Sequence, residues 1–215
     1  MDFVSKIKLQ KSTKMAEEIR KISQIDDLVF DAIANSDRES FVPIGFGAHA
    51  YKLDALPLVA DQWISSPLTV AKMTQALSCQ GADSVLEIGC GSGYQALILS
   101  KLIRRVFSIE RVERLAKEAK EKFRNLGISN INIRYDDGQN GWREYAPYDR
   151  ILFSASIKQI PSNLFDQLRT DGILVAPIEK NGKQIITKFT KKESGIEQKE
   201  IEECLFVPVV DGKSH

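Results

Sequence analysis

The run Ser84-Val85-Leu86-Glu87-Ile88-Gly89-Cys90-Gly91-Ser92-Gly93-Tyr94 limits the possible folds more than any other part of the chain. A short apolar stretch bounded by turn residues reads as a buried strand. Three glycines at alternate positions, followed by an apolar-rich segment, read as a tight turn that opens a helix. Such a turn lets backbone approach a ligand closely and aims unpaired helix N–H groups at it.

The same alternation continues downstream. Strands are expected at 84–88, 105–110, 131–135, 148–154 and 172–178. Helices are expected at 94–102, 111–124 and 161–168, with a loop over 136–147. The helix over 111–124 puts Val112, Leu115, Ala116, Ala119 and Phe123 on one face and stops at Gly127. Alternating β and α predicts an α/β fold: a doubly wound, mostly parallel sheet with helices on both faces. After Pro177 the pattern changes. Asn181-Gly182 is a hairpin signal, and it joins strand 172–178 to strands at 183–190 and about 200–209. The C-terminal end of the sheet is therefore expected to be an antiparallel hairpin.

Ahead of this core, residues 12–34 carry two apolar groups at helical spacing. The break falls near residues 23–26, where Asp26 or Ser23 would cap the second helix. Residues 41–65 are irregular, punctuated by Pro43, Gly45, Gly47 and Pro57, and long ordered loops are often functional. A helix then runs from Pro67 to about Leu77 with Ser66 as its N-cap, leaving the Ser65 hydroxyl free just outside it. The 215 residues read as one domain, with 1–80 as an N-terminal helical and loop extension that contributes to the site and 81–215 as the α/β core.

A net charge of +1 gives no electrostatic case for nucleic acid or an anionic membrane as the main partner. Cys79, Cys90 and Cys204 are widely spaced and lack a CxxC pair, so neither a metal site nor a disulfide framework is expected. With no apolar leader and no run of 18 apolar residues, a soluble cytoplasmic protein is the expectation. No exposed apolar stripe stands out, which favours a monomer.

Two cofactor classes use a turn like Gly89–Gly93. A dinucleotide site wants GxGxxG, whereas here bulky Tyr94 stands where Gly or Ala is needed. Glu87 would repel a pyrophosphate and suits a cationic amino-acid ligand such as S-adenosylmethionine. A tight βα turn with no ligand is the bland alternative. Glu110, at the end of the second strand, is placed to accept from ribose hydroxyls; otherwise it is a surface carboxylate paired with Arg111 or Arg114. Asp137-Gly138 closes the third strand and would meet an adenine amino group, or is an ordinary Asp-Gly turn.

The run from Val85 to Gln95 and Gln62-Trp63-Ile64-Ser65-Ser66-Pro67 carry a resemblance, together with Asp137-Gly138, Gly141-Trp142 and Ala146-Pro147-Tyr148-Asp149. Ile160-Pro161, the run from Asp171 to Pro177, and Phe206-Val207-Pro208-Val209 extend it. These motifs resemble the protein-L-isoaspartate O-methyltransferase family over nearly the whole chain. The resemblance implies a Rossmann-like class I methyltransferase fold and S-adenosylmethionine as methyl donor. It implies the free α-carboxylate of L-isoaspartyl residues in damaged proteins as acceptor, with methylation initiating repair. It implies a catalytic role for Ser65, which from local sequence alone reads as a capping residue. It implies that Gly89, Gly91, Glu110, Asp137 and Gly138 line the cofactor. Ile64, Glu87, Ser92 and Arg111, next to these positions or to Ser65, are expected to bind it as well. Four departures stand out. Trp63 replaces a threonine, Asp61 and Asp136 stand where glycine is common, and Ser154-Ala155-Ser156 replaces a Thr-Ala-Ala-like run. A class I enzyme for a small-molecule acceptor, or a cofactor-binding protein without catalysis, are the other readings.

The implied acceptor is ionised at neutral pH, with a pKa of about 3.3–3.7, so methyl transfer to it needs no general base. Neither His49 nor His215 is therefore expected to take part. The 44–62 loop and the Val207-Pro208-Val209 strand are expected to form the groove for an extended peptide.

Overall fold

Apolar alternation and turn chemistry together build a central sheet with helices packed on it. The computed structural model describes residues 3–214. Helix α1 spans Phe3–Ile22 and α2 Asp27–Ala34. Asp26 is the cap between them, its Oδ1 accepting from Val29 N at 2.9 Å. α1 begins well before residue 12 because residues 3–11 are mostly good helix formers, and Lys8 is tied to Asp37 at 2.8 Å.

The 41–65 segment is irregular, as its composition predicts, yet it is ordered by short elements. 3₁₀ turns lie at Arg38–Phe41 and Gly47–His49, and strands β1 (Leu56–Pro57) and β2 (Trp63–Ile64) pair antiparallel. Ala60 and Asp61 close that hairpin with φ of 57° and 54°. The left-handed backbone at Asp61 explains why glycine suits the position, and aspartate tolerates it better than most residues. Helix α3 (Pro67–Leu77) follows, with Ser66 Oγ accepting from Thr69 N at 3.0 Å.

The core supplies β3 (Ser84–Ile88), α4 (Tyr94–Leu102), β4 (Arg105–Glu110), α5 (Glu113–Asn125), β5 (Ile131–Tyr135) and β6 (Tyr148–Phe153). It ends with α6 (Ser162–Asp166), β7 (Leu168–Lys180), β8 (Lys183–Lys192) and β9 (Gly195–Cys204). The seven-stranded sheet has the order β5-β4-β3-β6-β7-β8-β9. Pairing is parallel from β5 to β7 and antiparallel for β8 and β9. The chain steps outward from β3 to β5, then returns to the other side of β3 to lay down β6. That reversal opens a crevice at the C-terminal ends of β3, β4 and β6, where ligands bind in such sheets.

Both faces are covered, unequally. Helices α1 to α5 pack over Val85, Val106, Leu152 and Val175. The other face, with Leu86, Phe107, Ile151 and Leu174, is covered by Leu164 of α6 and by Trp142 and Ile160 from connecting segments. No helix among the described residues is long and apolar enough to cross a membrane.

Of the other boundaries that differ from the sequence expectation, two have a visible cause. The helix expected over 161–168 is five residues long, because Tyr148 N bonds Gln167 O at 2.8 Å and Leu168 already pairs with Tyr148 in the sheet. The last strand lies at 195–204 rather than about 200–209. At its end the Gln184 side chain takes over from backbone, accepting from Phe206 N at 2.6 Å and donating to Phe206 O at 3.0 Å. The chain then leaves the sheet edge. It crosses the C-terminal ends of the strands, with Ser156 N donating to Val207 O and Val209 N donating to Ser156 O. The crossing ends with Ser214 N donating to Arg111 O at 2.7 Å.

Candidate active site

The site is built from four chain segments that converge on the crevice. The first is the turn after β3. Gly89, Gly91 and Gly93 have φ of 92°, 54° and 91°, conformations that glycine adopts without strain. Ile109 O accepts from both Gly89 N (2.9 Å) and Cys90 N (3.1 Å), which locks the turn to β4. A Cβ at Gly91 would come within 4 Å of only one atom, Leu58 Cδ1 at 3.8 Å, so the floor of the cleft is bare there.

The second is Glu110, which ends β4. It is 4 % exposed, and its Oε2 accepts from Gly91 N at 2.7 Å while Oε1 accepts from Val112 N at 2.9 Å. Burial pushes its pKa up, and the N–H donors of Val112, Gly91 and Arg111 pull it down. Each oxygen retains an acceptor site for a ligand hydroxyl. The third is Asp137. Its Oδ1 accepts from Gln139 N at 3.0 Å and its Oδ2 from Gly212 N at 2.8 Å. The fourth is the end of β2. Ile64 is buried against the core, and the half-buried Ser65 lines the cleft with no hydrogen bond from its hydroxyl to the described residues.

These segments enclose a cleft of about 800 Å³, its open mouth included. Of the residues named from sequence, Ile64, Ser65, Gly89, Gly91, Ser92, Glu110, Arg111, Asp137 and Gly138 all line it. Glu87 does not. Strand alternation sends its side chain to the helical face, where it is fully buried. Ser108 Oγ donates to its Oε2 at 2.5 Å and Ser154 Oγ to its Oε1 at 3.1 Å. Burial pushes its pKa up to about 8, against the lowering effect of the two hydroxyls, and the nearby Glu110 charge adds to the rise. Glu87 is thus a neutral acid under the turn, not a wall of the cleft.

Three further features complete the site. Val210 and Arg111 both line the cleft, and Arg111 Nε donates to Gly212 O at 2.9 Å, so the C-terminal crossing forms one side of it. Trp63 also stands at the rim, 53 % exposed. Tyr94, whose bulk argued against a dinucleotide, is 1 % exposed and packs on Phe41 at 6.0 Å between ring centroids, tying the turn to the N-terminal segment.

A bare glycine floor and the acceptor capacity of Glu110 at the end of the next strand fit S-adenosylmethionine. Comparison with known proteins points the same way. A relative from Helicobacter pylori strain J99, named protein-L-isoaspartate O-methyltransferase, is 55% identical over 203 residues, covering 94% of this chain and 97% of that protein. One from Maricaulis maris strain MCS10, of the same name, is 42% identical over 88% of this chain and 89% of that protein. A solved protein-L-isoaspartate O-methyltransferase superposes with a TM-score of 0.85 at 25% identity, covering 92% of this chain and 65% of its own. A Plasmodium falciparum structure, described as a candidate enzyme of this kind in complex with S-adenosyl-L-homocysteine, shares the fold with a TM-score of 0.78 at 22% identity, over 93% of this chain and 98% of its own. The sequence model of the Protein-L-isoaspartate(D-aspartate) O-methyltransferase family matches residues 10–214, and the chain belongs to that family.

Proposed function

We propose that this chain transfers a methyl group to the free α-carboxylate of L-isoaspartyl residues in proteins and peptides, starting their repair, with Ser65 orienting the acceptor. One observation carries the reading: the glycine turn, Glu110 and the free hydroxyl of Ser65 line a single cleft. S-adenosylmethionine, when bound, supplies the methyl group as an electrophile on a sulfonium centre. Gly89, Gly91 and Ser92 would hold it through backbone, and Glu110 would accept from its ribose. Asp137 and Gly138 would border its adenine.

Charge is consumed as the carboxylate attacks, so the protein gains most by aligning the two partners in a dry site. Strong donors to the carboxylate would blunt it as a nucleophile. One hydroxyl beside a helix start holds it in place while leaving it ionised. Ile64 and the aliphatic rim residues exclude water.

Labelled S-adenosylmethionine offered with an isoaspartyl peptide and its aspartyl twin tests the reading. Label on the isoaspartyl peptide alone is the expected result; cofactor binding with no transfer to either peptide sinks it. Ser65→Ala should lower kcat/KM roughly 10- to 100-fold, the worth of a hydrogen bond to a charged group. Its affinity for S-adenosylhomocysteine should stay within a few-fold. Glu110→Gln should do the reverse. It turns one acceptor oxygen into an amide donor facing a backbone N–H. Calorimetry should then show S-adenosylhomocysteine affinity falling by on the order of 10-fold or more.

A further inference from the structure

Arg38 has no exposed surface and is the largest fully buried side chain among the described residues. Its Nη1 donates to Ala50 O at 2.7 Å, and its Nη2 donates to Asp54 O at 3.2 Å and to Ser65 O at 3.0 Å. One guanidinium thus holds three carbonyls from separate parts of the 41–65 segment, including that of the residue read above as orienting the acceptor. A planar fork reaches all three at once; an ammonium on a flexible stem does not.

The base of the side chain is anchored as well. Asp37 caps the 3₁₀ turn that carries Arg38, with its Oδ1 accepting from Glu39 N at 3.0 Å. Tyr51 and Lys8 both donate to the same carboxylate, at 2.7 and 2.8 Å. Below, the Arg38 guanidinium lies 5.5 Å from the Tyr94 ring centroid, at the first residue of α4. Arg38 therefore stands between the acceptor loop and the cofactor turn.

Its charge is unpaired. Among the described residues no carboxylate lies within ion-pair distance, and Asp54 acts on it only through space. Nε has no hydrogen-bond partner. Burial pulls the pKa down to about 10, so the group stays a cation at neutral pH. A buried charge held by carbonyls alone is costly unless another anion shares its surroundings.

We propose that Arg38 is a positioning residue: it fixes the Ser65 backbone and places a permanent positive charge behind the acceptor carboxylate. The proposal rests on the functional reading above. It predicts that the protein prefers a carboxylate acceptor over its neutral α-amide analogue by on the order of 10-fold, the scale of effect of a buried charge acting through an effective dielectric near 20.

The test compares binding of an isoaspartyl peptide and its α-amide analogue, in the presence of S-adenosylhomocysteine, to the unaltered protein, Arg38→Lys and Arg38→Met. Arg38→Lys keeps the charge and loses the fork. Its kcat should fall by about 10²-fold, the cost of a 1 Å misplacement, while the carboxylate preference persists. Arg38→Met should lose both, with S-adenosylhomocysteine affinity within a few-fold of normal. A merely structural residue would not separate kcat from the carboxylate preference in this way. The unaltered protein gives a reading that no folding defect confounds. Because the charge is buried, the preference should survive a rise from about 0.05 to 0.5 M salt; loss of preference would assign it to surface charges and overturn the proposal. Arg38→Met with normal turnover and an intact preference overturns it too. If the unaltered protein fails to methylate the isoaspartyl peptide, the functional reading falls instead.

Discussion

Gly93→Ala should lower the melting temperature by roughly 5–20 °C and weaken S-adenosylhomocysteine binding. Two costs add at this position. Gly93 has φ of 91°, where a Cβ strains the backbone by about 1–2 kcal/mol. A Cβ there would also lie 2.8 Å from Phe123 Cζ and 3.1 Å from Cε2. The ring is held on one side, since Phe123 packs on Phe41 at 5.9 Å between centroids and Phe41 packs on Tyr94. Overpacking of this kind costs about 1–3 kcal/mol. The strain lands on the cofactor turn, because Gly93 N donates to Cys90 O at 2.9 Å and Gly91 N is held by Glu110. Gly127→Ala is the control. Its φ is 66°, but nothing lies within 4 Å of the added Cβ, so only backbone strain applies. Thermal unfolding of both variants decides the matter: equal losses would show that contact with Phe123 contributes nothing.

What could be read from sequence follows how local its cause is. The strand–turn–helix around Gly89 is dictated by residues within a dozen positions, as is the Ser66-Pro67 helix start. Glu110 could be placed because a strand's end is set by its own alternation. Arg38 could not. It sits in the polar run Ser36-Asp37-Arg38-Glu39-Ser40, which reads as surface, and its burial is created by carbonyls at 50, 54 and 65. The path of residues 205–214 was hidden for the same reason: Asp137 holds Gly212 across 75 positions. Glu87 is the instructive case. Its neighbours Leu86 and Ile88 face one side of the sheet, so period two sends Glu87 to the other. The glycine motif drew attention to the charge, and the alternation that removes it from the cleft was already present in the sequence.

Glu87→Gln should make folding stability nearly independent of pH, relative to the unaltered protein, between about pH 5 and 8. The Glu87 pKa lies at about 8 in the folded protein against an ordinary value of 4.5. The folded state therefore holds a proton that the unfolded chain releases. For a group shifted upward, the stabilisation is complete below the unfolded pKa and is lost as pH rises through the folded one. Stability should then decline by up to about 1.4 kcal/mol per pH unit across that window, or on the order of 3 kcal/mol in all. Glutamine matches the neutral acid in shape and keeps an acceptor for Ser108, so at pH 5 the two proteins should unfold at similar temperatures. At pH 8 the variant should be the more stable, by roughly 6–12 °C. Asp37 and Asp149, whose pKa values are lowered, lose their contributions only at acidic pH and in both proteins alike, so the difference isolates Glu87. A constant difference in stability from pH 5 to 8 would mean that the buried carboxyl holds no proton. A neutral Glu87 also has a consequence for the cleft. With its proton in place, Glu87 puts no second anion beneath the turn beside Glu110.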